Sequence, residues 1–137
     1  MRLQASQAGG TQRTWIPVTC RAEDAVGDVV YITGDMVGIR HPVARVDIDD
    51  PTTLPGIGVL ITKESDTLGV VQLAGLVDGI YSGLIPNRTL FVNTTGRLQN
   101  TPPPRPNTGK RYYQVIARAI SSTRFLIQVQ DPIITVA

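Results

Sequence analysis

The chain has 137 residues, a formal net charge of +2, and 42% hydrophobic, 18% charged and 5% aromatic residues, a length that holds one ordinary domain and hardly two. One His, one Cys and two Lys exclude zinc ribbons, Cys/His proteases and disulfide frameworks, and they leave little for catalysis or metal binding. Valine, isoleucine and threonine supply 43 of the 137 residues, and such β-branched side chains, stiff at χ1, favour pleated structure, so the expected fold class is all-β.

Residues 1–13 are polar and aperiodic, which predicts an N-terminal arm ordered only against a partner. They lack the apolar core of a secretory signal, and no stretch reaches the roughly 18 to 20 apolar residues of a membrane span, so a soluble cytosolic product is expected. Trp15–Thr19 opens the regular part, and Val29–Thr33 is a short apolar run between the turn signals Gly27-Asp28 and Gly34-Asp35. Val43–Ile48 alternates as a half-exposed strand does. Prolines and a glycine at Pro51, Pro55 and Gly56 break the chain before a central strand over Ile57–Lys63, and Thr67–Ala74 returns as its hairpin partner. Gly75 and Gly79 bracket a short edge piece, and Thr89–Asn93 and Gly96–Leu98 follow. The segment Thr101–Gly109, with four prolines, lacks ladder donors and must run extended on the surface. Tyr112–Arg118 and Thr123–Val129 read as two long strands, and Ile133–Val136 as a last strand or arm. Eight to ten short strands without a 3.6-residue period predict a compact antiparallel barrel or sandwich over 14–131, packed with Val, Ile and Leu, with 132–137 as a C-terminal strand or arm.

The small net charge conceals an asymmetry. Residues 1–78 carry six cations against ten carboxylates, and residues 79–137 carry seven cations against Asp131 alone. Eleven of the thirteen cations are arginine, whose planar fork suits paired recognition of carboxylate or phosphate. A phosphate-binding face is one use, but the cations are scattered over several elements and only Tyr112 and Tyr113 offer stacking near Lys110 and Arg111. Pairing with the acidic half, across the barrel or between copies, is the better use, with oligomer contacts favoured.

Other chemistry is thin. Asp47, Asp49 and Asp50 are oxygen ligands within four residues, yet they lack the further ligands and glycine offsets of a calcium loop, and Asp before Pro is ordinary turn chemistry. Ser121 and Ser122 have no nucleophile-elbow context, His41 reads as structural, and Gly56 and Gly58 are followed by no helix. Pro103 and Pro106 give a P-x-x-P match that equally suits a rigid connection. Cys20 is expected to be free and buried. No enzyme activity, cofactor or metal is expected.

The order of motifs carries a resemblance. Ala25–Tyr31, Leu54–Lys63, Val71–Gly75, Ser82–Pro86, Leu90–Asn93, Gly96–Leu98 with Pro102-Pro103, and Gln114–Ala119 together resemble the small β-barrel structural proteins of tailed bacteriophages, over about residues 19–130. Asn87 and Arg118 stand where glycine is usual in that pattern. The resemblance implies a non-enzymatic virion protein, either a capsid decoration (cement) protein or a fibre or tail receptor-binding head, forming homo-oligomers, often trimers. The expectation is a cement protein, made in the host cytoplasm, that clamps the major capsid protein on the outer surface of the head; a small nucleic-acid-binding barrel is the alternative from another class. Interface residues expected from composition are Leu3 and Trp15 as apolar anchors, with Trp15 equally placed as core, Arg97, Arg105, Lys110 and Arg111 as pairing groups, and Ile133, Ile134 and Val136 at the far end. No membrane partner is expected.

Overall fold

A computed structural model describes residues 14–106 and 109–136 and contains twelve strands and one short 3-10 turn at Pro51–Thr53. The first five strands close into a barrel: β1 (Trp15–Thr19), β3 (His41–Arg45), β2 (Val29–Ile32), β4 (Gly58–Lys63) and β5 (Leu68–Gln72), in that spatial order, with β5 returning to β1. All neighbours are antiparallel except β1 and β3, which run parallel through Val18↔His41 and Thr19↔Pro42. Closure leaves this sheet no free edge.

The remaining chain does not extend the barrel. β6 (Gly75–Asp78), β7 (Thr89–Val92), β8 (Leu98–Gln99), β10 (Val115–Ala119) and β11 (Arg124–Ile127) form an open sheet in the order β6-β11-β10-β7-β8. β9 (Lys110–Tyr113) and β12 (Ile133–Val136) form a separate two-stranded ribbon. The architecture is all-β as expected, with twelve strands rather than eight to ten and with the barrel confined to the first half.

Two clusters of buried side chains explain the arrangement. Val18, Cys20, Val30, Val43, Leu60 and Val71 fill the barrel. The larger cluster joins the barrel's Val29, Val46, Ile48 and Val59 to Leu90, Val92, Ile116, Phe125 and Ile127 of the open sheet, so strand alternation gives the barrel wall an outward apolar side that the sheet covers. Glycines allow the tightest seam: a Cβ on Gly58 would strike the Gln72 carbonyl, and one on Gly69 would sit 2.5 Å from the Thr62 carbonyl.

The expected strand over 43–48 is shifted to His41–Arg45, although the alternation persists beyond it, with Val46 and Ile48 buried and Asp47 exposed. The expected strand over 112–118 is two strands, because Gln114 turns inward. Its side chain is fully buried, its Oε1 accepts from Gly56 N at 2.8 Å, and its Nε2 donates to Gly56 O at 2.9 Å and Gln130 O at 2.7 Å. The amide bridge pins the chain after the cis Leu54–Pro55 peptide to the second sheet, and the β10–β7 register slips beside it, between Val115 and Ala117.

Candidate functional site

The turn at residues 24–28 joins the barrel to the sheet, and one pair between the basic second half and the acidic first half forms there. The Asp28 carboxylate, 1% exposed, accepts from Ala25 N at 2.8 Å, from Arg97 Nη1 at 3.1 Å and from Arg45 Nη1 at 3.4 Å. Arg97 also donates to Val26 O and lies over the Tyr81 ring. Tyr81 Oη donates to Gly27 O and accepts from Leu98 N, and burial pushes its hydroxyl pKa up. Nearby, burial alone would raise the Asp24 carboxyl, but hydrogen bonds from the Arg21 side chain and main chain, the Arg21 charge and Arg45 N outweigh it and hold Asp24 below the usual carboxylate range.

Arg111 Nε meets Asp49 at 2.7 Å, its Nη1 donates to Pro104 O, and Arg124 meets Asp78 at 3.3 Å. Arg97 and Arg111, expected to pair across an interface, therefore pair within the chain. The reason is topological: the arginine-rich second half is the sheet and ribbon that pack on the acidic first half. Arg118 is likewise held by Asn87 O.

The other expected interface residues are distributed as follows. Leu3 and the rest of the arm lie outside the described residues. Trp15 is 43% exposed on β1, opposite Gln72, which places it at the surface rather than in the core. Arg105 is exposed in the proline-rich segment, and Lys110 is exposed on β9, where its backbone faces Val136. Ile133 and Ile134 are 52% and 49% exposed on β12. These residues do not form one contiguous site by sequence register; they mark β1, the proline segment and the ribbon separately.

The acidic run Asp47, Asp49 and Asp50 is turn chemistry. Asp49 N donates to Asp47 Oδ1, Asp50 Oδ1 accepts from Thr52 N and Oγ1, and Thr53 Oγ1 donates to the Asp47 and Asp50 carbonyls. Among the described residues no three His, Cys, Asp or Glu side chains are grouped to hold a metal ion. Ser121 is also a turn residue, its Oγ accepting from Thr123 N and Arg124 N, and His41 sits half-buried at the head of β3.

Two features escaped the sequence reading. One is the tip of the β2–β3 hairpin, where Val37 and Arg40 exchange both backbone hydrogen bonds around Gly38 (φ +61°) and Met36, Val37 and Ile39 are 49%, 76% and 71% exposed. The apolar run Met36–Ile39 between Asp35 and Arg40 was its visible signal. The other is a cleft of about 840 Å3 assembled from Arg21, Tyr31, the 45–53 segment, Thr94 and Thr95. Its residues come from four separated stretches, so no local motif announces it. No protein-family model matches the sequence, and no curated protein and no solved structure matches it.

Proposed function

We propose that the protein is a non-enzymatic virion structural protein that decorates the outer surface of a phage head, oligomerising as a trimer and binding the major capsid protein. The observation that carries this reading is the ribbon. Ile133 and Ile134 are neighbours in β12, so they point to opposite faces, and each is about half exposed. A two-stranded ribbon has little stability of its own in water, and one with isoleucine open on both faces gains most from cover by a neighbouring subunit. At about 25 cal/mol per Å2 of apolar surface removed from water, a standard interface of about 1,600 Å2 suffices for docking that a lattice then multiplies.

The internal use of Arg97, Arg111, Arg118 and Arg124 supports a contact protein over a phosphate-binding one, since those guanidiniums already have protein acceptors. The test is to mix the purified full-length protein with undecorated expanded phage capsids and image them, while measuring oligomeric state by sedimentation. Regular added density on capsids and a trimer in solution are the expected result, with both reduced by Ile133→Ser/Ile134→Ser. A monomer that leaves capsids bare overturns the proposal, and unimpaired binding after removal of residues 1–13 overturns the expectation that the N-terminal arm anchors the protein to the capsid.

A further inference from the structure

The geometry points to the cleft beside the 45–53 segment as a binding site for a neutral hexose-based saccharide. This inference does not rest on the capsid reading and stands or falls separately. The cleft's volume, about 840 Å3, lies in the range of small-molecule sites, and its lining is of three chemical kinds.

The first is a set of fixed acceptors. Asp47 and Asp50 each commit one carboxylate oxygen to a turn hydrogen bond and retain the other. The second is a donor on the same stretch: Arg45 uses Nη1 for Asp28 and the Glu23 carbonyl, while its Nε and Nη2 make no hydrogen bond to a described residue. The third is an amphipathic surface. Tyr31 packs against the main core, and neither its hydroxyl nor that of Thr94 bonds a described residue. An aromatic edge with carboxylate acceptors and guanidinium donors suits vicinal hydroxyls, each of which donates and accepts at once.

Charge separates this ligand class from its rivals. Both arginines of the cleft already hold a carboxylate, Arg21 with Asp24 and Arg45 with Asp28, and the lining Asp49 is paired from outside it by Arg111. A phosphate would therefore compete with existing partners and face Asp47 and Asp50 as well. A polyamine would meet the guanidiniums of Arg21 and Arg45. A metal ion lacks a ligand cluster among the described residues. A neutral polyol uses the remaining donors and acceptors without breaking any pair.

The test is titration of 15N-labelled full-length protein with maltotriose, lactose and N,N'-diacetylchitobiose, and separately with sodium phosphate and spermidine, following backbone amide shifts. At least one saccharide is expected to shift the amides of Thr94, Thr95 and the 49–53 segment, saturating with a Kd of about 1 mM. Tyr31→Phe and Thr94→Val, each removing one hydroxyl, are expected to weaken it about threefold to tenfold, and Met36→Ser, on the distant hairpin tip, to leave it unchanged. Thr94 is exposed in a turn, so its variant reads binding even if the Tyr31 variant folds poorly. Silence of these amides with all three sugars, tighter binding of phosphate or spermidine at the same amides, or no weakening in Thr94→Val overturns the inference.

Discussion

Replacing Gln114 with leucine tests what joins the two halves of the fold. Leucine keeps a comparable volume at a fully buried position but removes three hydrogen bonds, orphaning Gly56 N, Gly56 O and Gln130 O. Gln130 is exposed and its carbonyl can turn to water, whereas Gly56 is buried. Two buried orphans cost about 1–3 kcal/mol each, and removing a polar amide from the core returns part of that, leaving a loss of about 3 kcal/mol. With a urea m-value of about 1.5 kcal/mol/M, the unfolding midpoint should fall by about 2 M. Circular dichroism during urea titration measures it directly. Gln114→Glu sharpens the test: at neutral pH it sets a carboxylate against the Gly56 and Gln130 carbonyls, and burial raises its folded pKa. Its stability should therefore recover as pH falls through that raised value, opposite to the acid response of the parent protein. A Gln114→Leu variant within about 1 kcal/mol of the parent would refute the view that this amide clamps the 54–57 segment onto the sheet.

Asp28→Ala should cost about 2–3 kcal/mol in urea or thermal melts, because it removes the buried acceptor of Ala25 N, Arg97 and Arg45 while the two arginines, about a third exposed, turn to water, whereas Arg124→Ala at an exposed pair with Asp78 should cost under about 1 kcal/mol. Asp24 is held below its unfolded value, so its contribution is complete above the unfolded pKa of about 4 and is lost as pH falls through the lower folded value. Asp24→Asn should accordingly flatten the acid limb of a stability-against-pH curve. Cys20 is 4% exposed and its thiol is pushed up by burial, so maleimide or disulfide-exchange labelling should be slow in the native protein and fast in urea. Gly69→Ala should destabilise the barrel seam by about 1–3 kcal/mol, since the new methyl meets backbone rather than a side chain that can turn aside.

Local pattern reveals the strands and turns of this molecule well, because alternation and Gly/Pro punctuation are short-range signals. The run Val29–Ile32, the hairpin Gly58–Lys63 with Leu68–Gln72, and the brackets at Gly75 and Gly79 all appear within a residue or two of their expected places. Pairing of distant elements is another matter. Nothing near Val18 indicates that β1 lies parallel to β3, and nothing near Arg97 indicates that its partner is Asp28. The break at Gln114 within the expected strand Tyr112–Arg118 is hidden for a related reason: nothing in Tyr-Tyr-Gln-Val-Ile interrupts the strand pattern, and only Gly56, fifty-eight residues earlier, gives its amide a reason to face inward. The cleft suffers most, since each contributing stretch is an unremarkable turn or strand end until the fold brings them together.

The strand pairings also give the molecule two unequal mechanical handles. β1 has β5 along one edge from Trp15 to Thr19 and β3 against the other at Val18 and Thr19. Tension applied upstream along its axis loads those bonds together in shear, because ladder hydrogen bonds lie across the strand direction. β12 has β9 alone, in a register running from Ile133↔Tyr113 to Val136↔Lys110, and a pull away from β9 at Val136 opens it bond by bond. A force transmitted through the N-terminal side therefore meets a rigid cylinder, while one transmitted through the C-terminal side peels a ribbon first and reaches the cylinder only afterwards.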